Sequence, residues 1–230
     1  MKWLNGHLRG TLTKALLLAS AFLLSACESA LIVKSDFPKP VVQPIDITMG
    51  VVYTDELTKY TYSESEESRS KWKIGIGEAH QHLFEQVFEK MFTHSESLTS
   101  LDENNPDYDL VLLPSINEFQ YSSPKETRSK IYEVWIRYNM QVYSGNGELV
   151  ADWIMSAYGK TPSAFLKSRE EAMNQAIIVA LRDLGASLTT GFARVPEVKS
   201  WLANKEDIRS NELPPNSPEP KTDTLEKTGI

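Results

Sequence analysis

The sequence is nearly devoid of thiols: among 230 residues, Cys27 is the one cysteine. No disulfide can close within a single chain, so the fold must rest on its own packed core. Histidine is almost as scarce. Beyond residue 26 there are three, His80, His82 and His94, with no His-Glu-x-x-His run or paired-cysteine spacing. Zinc chemistry is therefore not expected, and on a helix His80 and His82 would diverge as solvated side chains. No Gly-x-Ser-x-Gly run exists to seat a nucleophilic serine. The carboxylates Glu133, Glu148 and Asp152 cluster near one hairpin, but nothing marks two of them as buried, and they read as surface charge. Lysine and arginine form no cluster. The composition thus speaks against an enzyme, a metal or other cofactor, and a nucleic-acid partner.

Long apolar runs are missing too. The run at residues 15–24, ALLLASAFLL, is 10 residues long, half of the roughly 20 that a membrane-spanning helix needs. It follows Lys2, Arg9 and Lys14, and Ser25 and Ala26 come next. A basic start, an apolar middle and a small-residue cleavage site make a secretory signal at residues 1–26. The string Leu24-Ser25-Ala26-Cys27 resembles the lipobox of bacterial lipoproteins. That resemblance implies lipidation of Cys27, palmitate-type acyl chains included, after cleavage before it. Each buried methylene adds about 0.8 kcal/mol, so several chains on one cysteine make a stable anchor. Glu28 rather than aspartate after the cysteine implies the outer membrane, with the protein facing the periplasm. Removing the signal takes three of the 24 basic residues and none of the 31 acidic ones, leaving a net charge of minus ten.

Residues 27–44, with Pro38, Pro40 and Pro44, read as a lipidated cysteine and an extended tether; the 17 residues from Glu28 to Pro44 at ~3.3 Å each would reach about 50 Å. Residues 205–230 carry Pro214, Pro215, Pro218 and Pro220 among charges and read as a disordered tail. Residues 45–204 between them are enough for one periplasmic domain with a real core.

Within that domain, residues 45–53 and 71–76 read as strands. Residues 77–92 read as a helix, because Leu83, Phe84, Val87, Phe88, Met91 and Phe92 fall on one face. The run "GIGEAH" between strand and helix lacks the third glycine of a dinucleotide loop, and Glu78 stands where a phosphate would sit, so it reads as a tight turn. Residues 110–113 read as a strand buried on both sides, with Pro114 marking a bulge or an edge. Residues 131–143 alternate: Val134, Ile136, Tyr138, Met140 and Val142 on one side, polar residues on the other. Asn146-Gly147 suits a hairpin turn. A two-residue loop there pairs Gly145 with Glu148, Met140 with Trp153, Tyr138 with Met155 and Ile136 with Ala157, an all-apolar inner face. Ser168 and Glu171 cap a long helix whose stripe runs from Met173 to Leu188, and Pro196 opens a short final helix.

The order β, β, α, β, β, β, α predicts an α+β fold: a single domain, mostly antiparallel sheet with two helices packed on one face. That element order is similar to small envelope lipoproteins of the YajG, curli-secretion and TolB amino-terminal type. The resemblance implies accessory roles in exporting or assembling envelope material, without catalysis and with an envelope protein as partner.

On the polar side of the hairpin, Trp135 falls opposite Tyr158, with Arg137 and Ile154 close by. Exposed Trp, Tyr and Arg are the side chains that most often anchor protein contacts. Either this face meets a partner, or the long segment at residues 54–70 covers it. Tyr53, Tyr60 and Tyr62 are lesser candidates for a binding surface. A rival reading is a carrier of lipid or glycan, with a pocket under Phe84, Phe88 and Trp153 between sheet and helices.

Overall fold

The computed structural model describes residues 29–102, 104–163 and 168–212. The signal segment, the lipobox with Cys27, and residues beyond 212 lie outside these.

The long hairpin is the centre of the fold. Strands β6 (Leu110–Ser122), β7 (Ile131–Ser144) and β8 (Leu149–Pro162) pair antiparallel. Met140 faces Trp153, Tyr138 faces Met155 and Ile136 faces Ala157, as the alternation predicts. Val134, Ile136, Tyr138, Met140 and Val142 are all buried. The turn itself differs from expectation. The register slips between Val142 and Tyr143, and Ser144 N donates to Glu148 O at 2.8 Å, so Gly145 does not pair with Glu148. Its main chain is taken instead by the neighbouring loop: Asn105 N donates to Gly145 O at 2.7 Å.

Strand β2 (Ile45–Val52) joins β6 in parallel, and β5 (Phe92–Leu98) joins β2 in parallel. The five strands run in the order β5-β2-β6-β7-β8. The pairing with β2 ends at Leu112, so Pro114 stands where its strand has no neighbour on that side, and the bulge falls further on, between Ile116 and Glu118. A second small sheet holds β1 (Ser29–Ile32), β3 (Thr61–Ser63) and β4 (Trp72–Gly75), in the order β1-β4-β3. Two short helices, α1 (Asp55–Thr58) and α3 (Pro124–Thr127), lie in connections.

Two helices cover one face of the larger sheet. Helix α2 (Gly77–Met91) buries Leu83, Phe84, Val87, Phe88 and Met91. Helix α4 (Arg169–Gly191) buries Met173, Ala176, Ile177, Ala180, Leu181, Leu184 and Leu188, all fully enclosed. Ser168 Oγ caps it, accepting from Glu171 N at 3.0 Å. The stretch through Arg194 is long and apolar enough to cross a membrane, but half of it is buried inside the fold, as suits a core helix. Helix and strand meet closely at Gly159, where a Cβ would fall 2.1 Å from Ala176 O; only glycine admits that approach. The fold is α+β in one domain, its two long ladders antiparallel and its helices on one face.

Three expectations are corrected. The stretch read as a free tether enters the fold at once: Ser29–Ile32 forms β1, and Val33 and Phe37 are buried in the core. Its apolar residues find a sheet edge and a helix face to cover, which outweighs its prolines. The stretch after residue 205 is not uniformly a free tail, because α5 (Pro196–Glu212) runs through it. Lys205 pairs with Asp109 and Arg209 with Asp46, fastening the helix beside β2. Finally, His80 is not solvated. It is fully buried, with Nδ1 at 2.8 Å from Ile76 O and Nε2 at 2.7 Å from Tyr138 Oη.

That geometry fits a neutral imidazole that donates from Nδ1 to the carbonyl and accepts from the phenol. Burial pushes its pKa down to about 4, partly offset by the bond to Ile76. The unfolded chain takes up a proton near pH 6.5 that the folded chain refuses until about pH 4. Stability is complete above the upper value and falls as pH drops through this window. Between about pH 7.5 and 5.5, above the carboxylate range, the loss is expected to be roughly 1.4 kcal/mol. Urea midpoints at the two pH values check this, and in a His80→Gln variant the midpoint should change much less.

Candidate functional site

Among the described residues, neither α2 nor α4 reaches the other face of the sheet, and β6, β7 and β8 each present alternate side chains on it. Three rows cross it. Ser122, Glu133 and Lys160 form one, Gln120, Trp135 and Tyr158 the next, and Glu118, Arg137 and Ser156 the third. Ile154 follows, opposite Asn139. Trp135 is 39% exposed and Ile154 53%, high values for side chains that favour burial. All four residues singled out by sequence, Trp135, Arg137, Ile154 and Tyr158, are thus brought together on one surface.

The platform is held in place by its neighbours. The Trp135 and Tyr158 rings lie 5.3 Å apart, tilted by 36°. Tyr158 Oη donates to Glu133 Oε1 at 2.6 Å, and that carboxylate is the main cause raising the phenol pKa to about 12. Its main-chain N–H, on the outer edge of β8, donates to Asp183 Oδ2 of α4 at 2.9 Å. Arg137 Nη1 lies 3.3 Å from Glu118 Oε2. Beside the indole is a hollow of about 200 Å³ lined by Glu118, Gln120, Trp135, Arg137 and Ser156. It is smaller than the ~300–1,000 Å³ typical of small-molecule pockets.

Residues 54–70 do not cover this face. Tyr62 packs on Phe119 at 4.8 Å, on the helix side of the sheet, and Arg69 lies 4.3 Å over the Tyr121 ring. The lesser candidates are spent there: Tyr53 is buried, and Tyr60 and Tyr62 pack against the core. Glu118 and Gln120 were not found from the sequence. The bulge before Glu118 switches which side of β6 faces out, and counting back from the inward Tyr121 would have placed both.

The pocket expected under Phe84, Phe88 and Trp153 is filled by side chains. Phe84 and Phe88 stack at 5.6 Å, Phe88 meets Phe92, Phe92 meets Phe192, and Trp153 closes on Phe192 at 6.3 Å. The start of α2 is a tight turn and not a phosphate cradle. A Cβ on Gly77 would fall 2.1 Å from Thr58 O, and Gly77 N already donates to Tyr60 O at 3.2 Å. Among the described residues, no group of three or more His, Cys, Asp or Glu side chains could hold a metal ion.

No family model matches the sequence, and no curated protein matches it either. Solved structures match it at low identity. A protein from Xanthomonas campestris is 11% identical, with a TM-score of 0.48 over 79% of this chain and 99% of its own. A protein from Helicobacter pylori named for its likeness to a neuraminyllactose-binding hemagglutinin is 10% identical, with a TM-score of 0.45 over 77% and 100%. A minor lipoprotein from Acinetobacter baumannii is 9% identical, with a TM-score of 0.38 over 72% and 96%.

The Glu118–Arg137 pair is solvent-exposed, with side chains 41% and 55% accessible. Exposed pairs contribute about 0–1 kcal/mol. A double-mutant cycle of Glu118→Gln and Arg137→Gln, read by urea unfolding, should give a coupling below about 1 kcal/mol.

Proposed function

We propose that this chain is an envelope lipoprotein, anchored by lipid on Cys27 at the periplasmic face of the outer membrane. It acts without catalysis as a partner in an assembly or export complex. The observation that carries the reading is the exposed Trp135 beside a half-buried Tyr158, on the sheet face away from α2 and α4. A large aromatic surface costs little conformational entropy to present and removes much apolar area from water when a partner docks. Arg137, Glu118 and Gln120 surround it with directional polar groups that select among partners. The anchor reading rests on the basic start, apolar run and Leu24–Cys27 string of the sequence.

The fold changes how such an anchor would work. One residue, Glu28, separates Cys27 from the start of β1. Two Cα steps of ~3.8 Å span under about 8 Å. The body is therefore held against the bilayer and does not stand about 50 Å away from it.

Two experiments test the reading. Trp135→Ala combined with Tyr158→Ala should leave the urea midpoint nearly unchanged while lowering recovery of cross-linked partners in intact cells by at least about tenfold, the effect of losing one hot spot of roughly 1.4 kcal/mol or more. Recovery equal to the parent's would sink the platform as the contact. Cys27→Ser should release the protein from the membrane fraction; a variant that still pellets at normal size removes the anchor.

A further inference from the structure

The two edges of the large sheet are treated differently. At β8, helix α4 lies alongside, and Asp183 binds the outward N–H of Tyr158. At the other edge, among the described residues, β5 has β2 as its one strand neighbour. Tyr53 N donates to Leu98 O at 2.8 Å, so Leu98 turns its main-chain groups toward β2, and by alternation so do Glu96 and His94. The main-chain N–H and C=O of Ser95 and Ser97 then point away from the sheet, where a further strand would lie. Such a row of free groups is a template for pairing with another chain.

The side chains beside that edge describe what could pair. Ser95 and Ser97 lie opposite Met49 and Val51, on the side that α2 covers. Because they are small, they leave a trough of about 320 Å³ between β5 and α2. Its floor is Val51 and Phe88, both buried, and its rim carries Glu85 and Glu89, the latter also paired with Lys39 and Lys90; Glu96 turns to the other side, where Tyr108 Oη donates to it. A strand added to β5 would send alternate side chains into this trough. An apolar stem against the floor with a cation at the rim is the chemistry of lysine or arginine. A second copy of β5 would instead bring the same carboxylates together, and like charges reject that pairing.

We infer that the β5 edge and the α2 trough form a binding site for an extended protein segment carrying alternate basic residues, taken up by strand addition. It is separate from the Trp135 face and does not depend on it. Main-chain bonds from Ser95 and Ser97 supply attachment, and the carboxylates supply selection. The net charge of minus seven for the whole chain favours encounter with a basic partner.

The test uses two labelled hexapeptides, one alternating valine and lysine and the other alternating valine and glutamate, followed by fluorescence anisotropy with the folded protein. The lysine peptide should bind at least about tenfold tighter. Ser97→Pro removes an outward donor from an edge strand, a place where proline is tolerated, and should weaken the lysine peptide by about tenfold or more. Glu85→Gln should narrow the gap between the two peptides. Independently of any variant, amide exchange at Ser95 and Ser97 should slow when the lysine peptide is added. Equal binding of the two peptides, full binding by a folded Ser97→Pro, or unchanged exchange at both serines would each overturn the site. So would a concentration-dependent dimer abolished by Ser97→Pro, which would give the edge to a second copy.

Discussion

Everything in this structure is arranged around one buried contact, the stripe of α4 laid on the inner side of the β7–β8 hairpin. The stripe is made of alanines and larger aliphatic residues, Met173, Ala176, Ile177, Ala180, Leu181 and Leu184, and each is fully enclosed. Alanines there and Gly159 on the strand let the two backbones approach closely, so the larger residues on either side interlock. Without a disulfide, this contact and the phenylalanine column of α2 carry the apolar burial that offsets the chain's ordering entropy. The His80–Tyr138 bond ties the two halves. It joins the start of α2 to the middle of β7 through a polar contact that only one orientation of helix on sheet satisfies.

A helix layer on one side has consequences for the rest of the sheet. It leaves the opposite side of β7 and of the second half of β6 to polar residues and Trp135, which is why β7 alternates buried and exposed residues so cleanly. It also reaches one edge and not the other. Helix α4 lies over β8 and spends Asp183 on that edge, whereas α2 turns directly into β5 at Phe92 and leaves its far side open. The aromatic face and the free edge both follow from where the two helices stop.

Periodicity made the central half of this fold legible in the sequence. The hairpin register could be derived because one slip would bury Trp135, Arg137 and Asn139 in place of Ile136, Tyr138 and Met140. The helices were legible because their stripes are long and uninterrupted. What escaped was chain whose burial is not periodic. Strand β5 reads FTHSESL and buries little besides Phe92, so no alternation announces it. Residues 29–44 bury only isolated side chains such as Val33 and Phe37, and their prolines suggested a tether. His80 shows the same difficulty in a single residue: a histidine on a helix reads as solvated until the phenol that satisfies it is found 58 positions away. The candidate platform was legible on β7 and β8, where register was derivable, and illegible on β6, where a bulge interrupts the count.

The two proposed surfaces point different ways from the start of the described chain. Ser29 N donates to Lys71 O at 3.1 Å, and the adjoining Ser70 O accepts from Tyr121 Oη at 2.7 Å, next to the row of Gln120, Trp135 and Tyr158. The aromatic platform therefore lies toward the end of the sheet where the chain enters. Strand β5 is separated from that end by β2 and the first part of β6, near Leu110 and the hairpin turn. Under the proposed anchor at Cys27, two residues before Ser29, the end of the sheet that carries the Trp135 row would be the one nearest the bilayer. The β5 edge would then lie toward the other end of the large sheet, away from that bilayer. A link that short would hold this division of surfaces, whereas a long tether would randomise it.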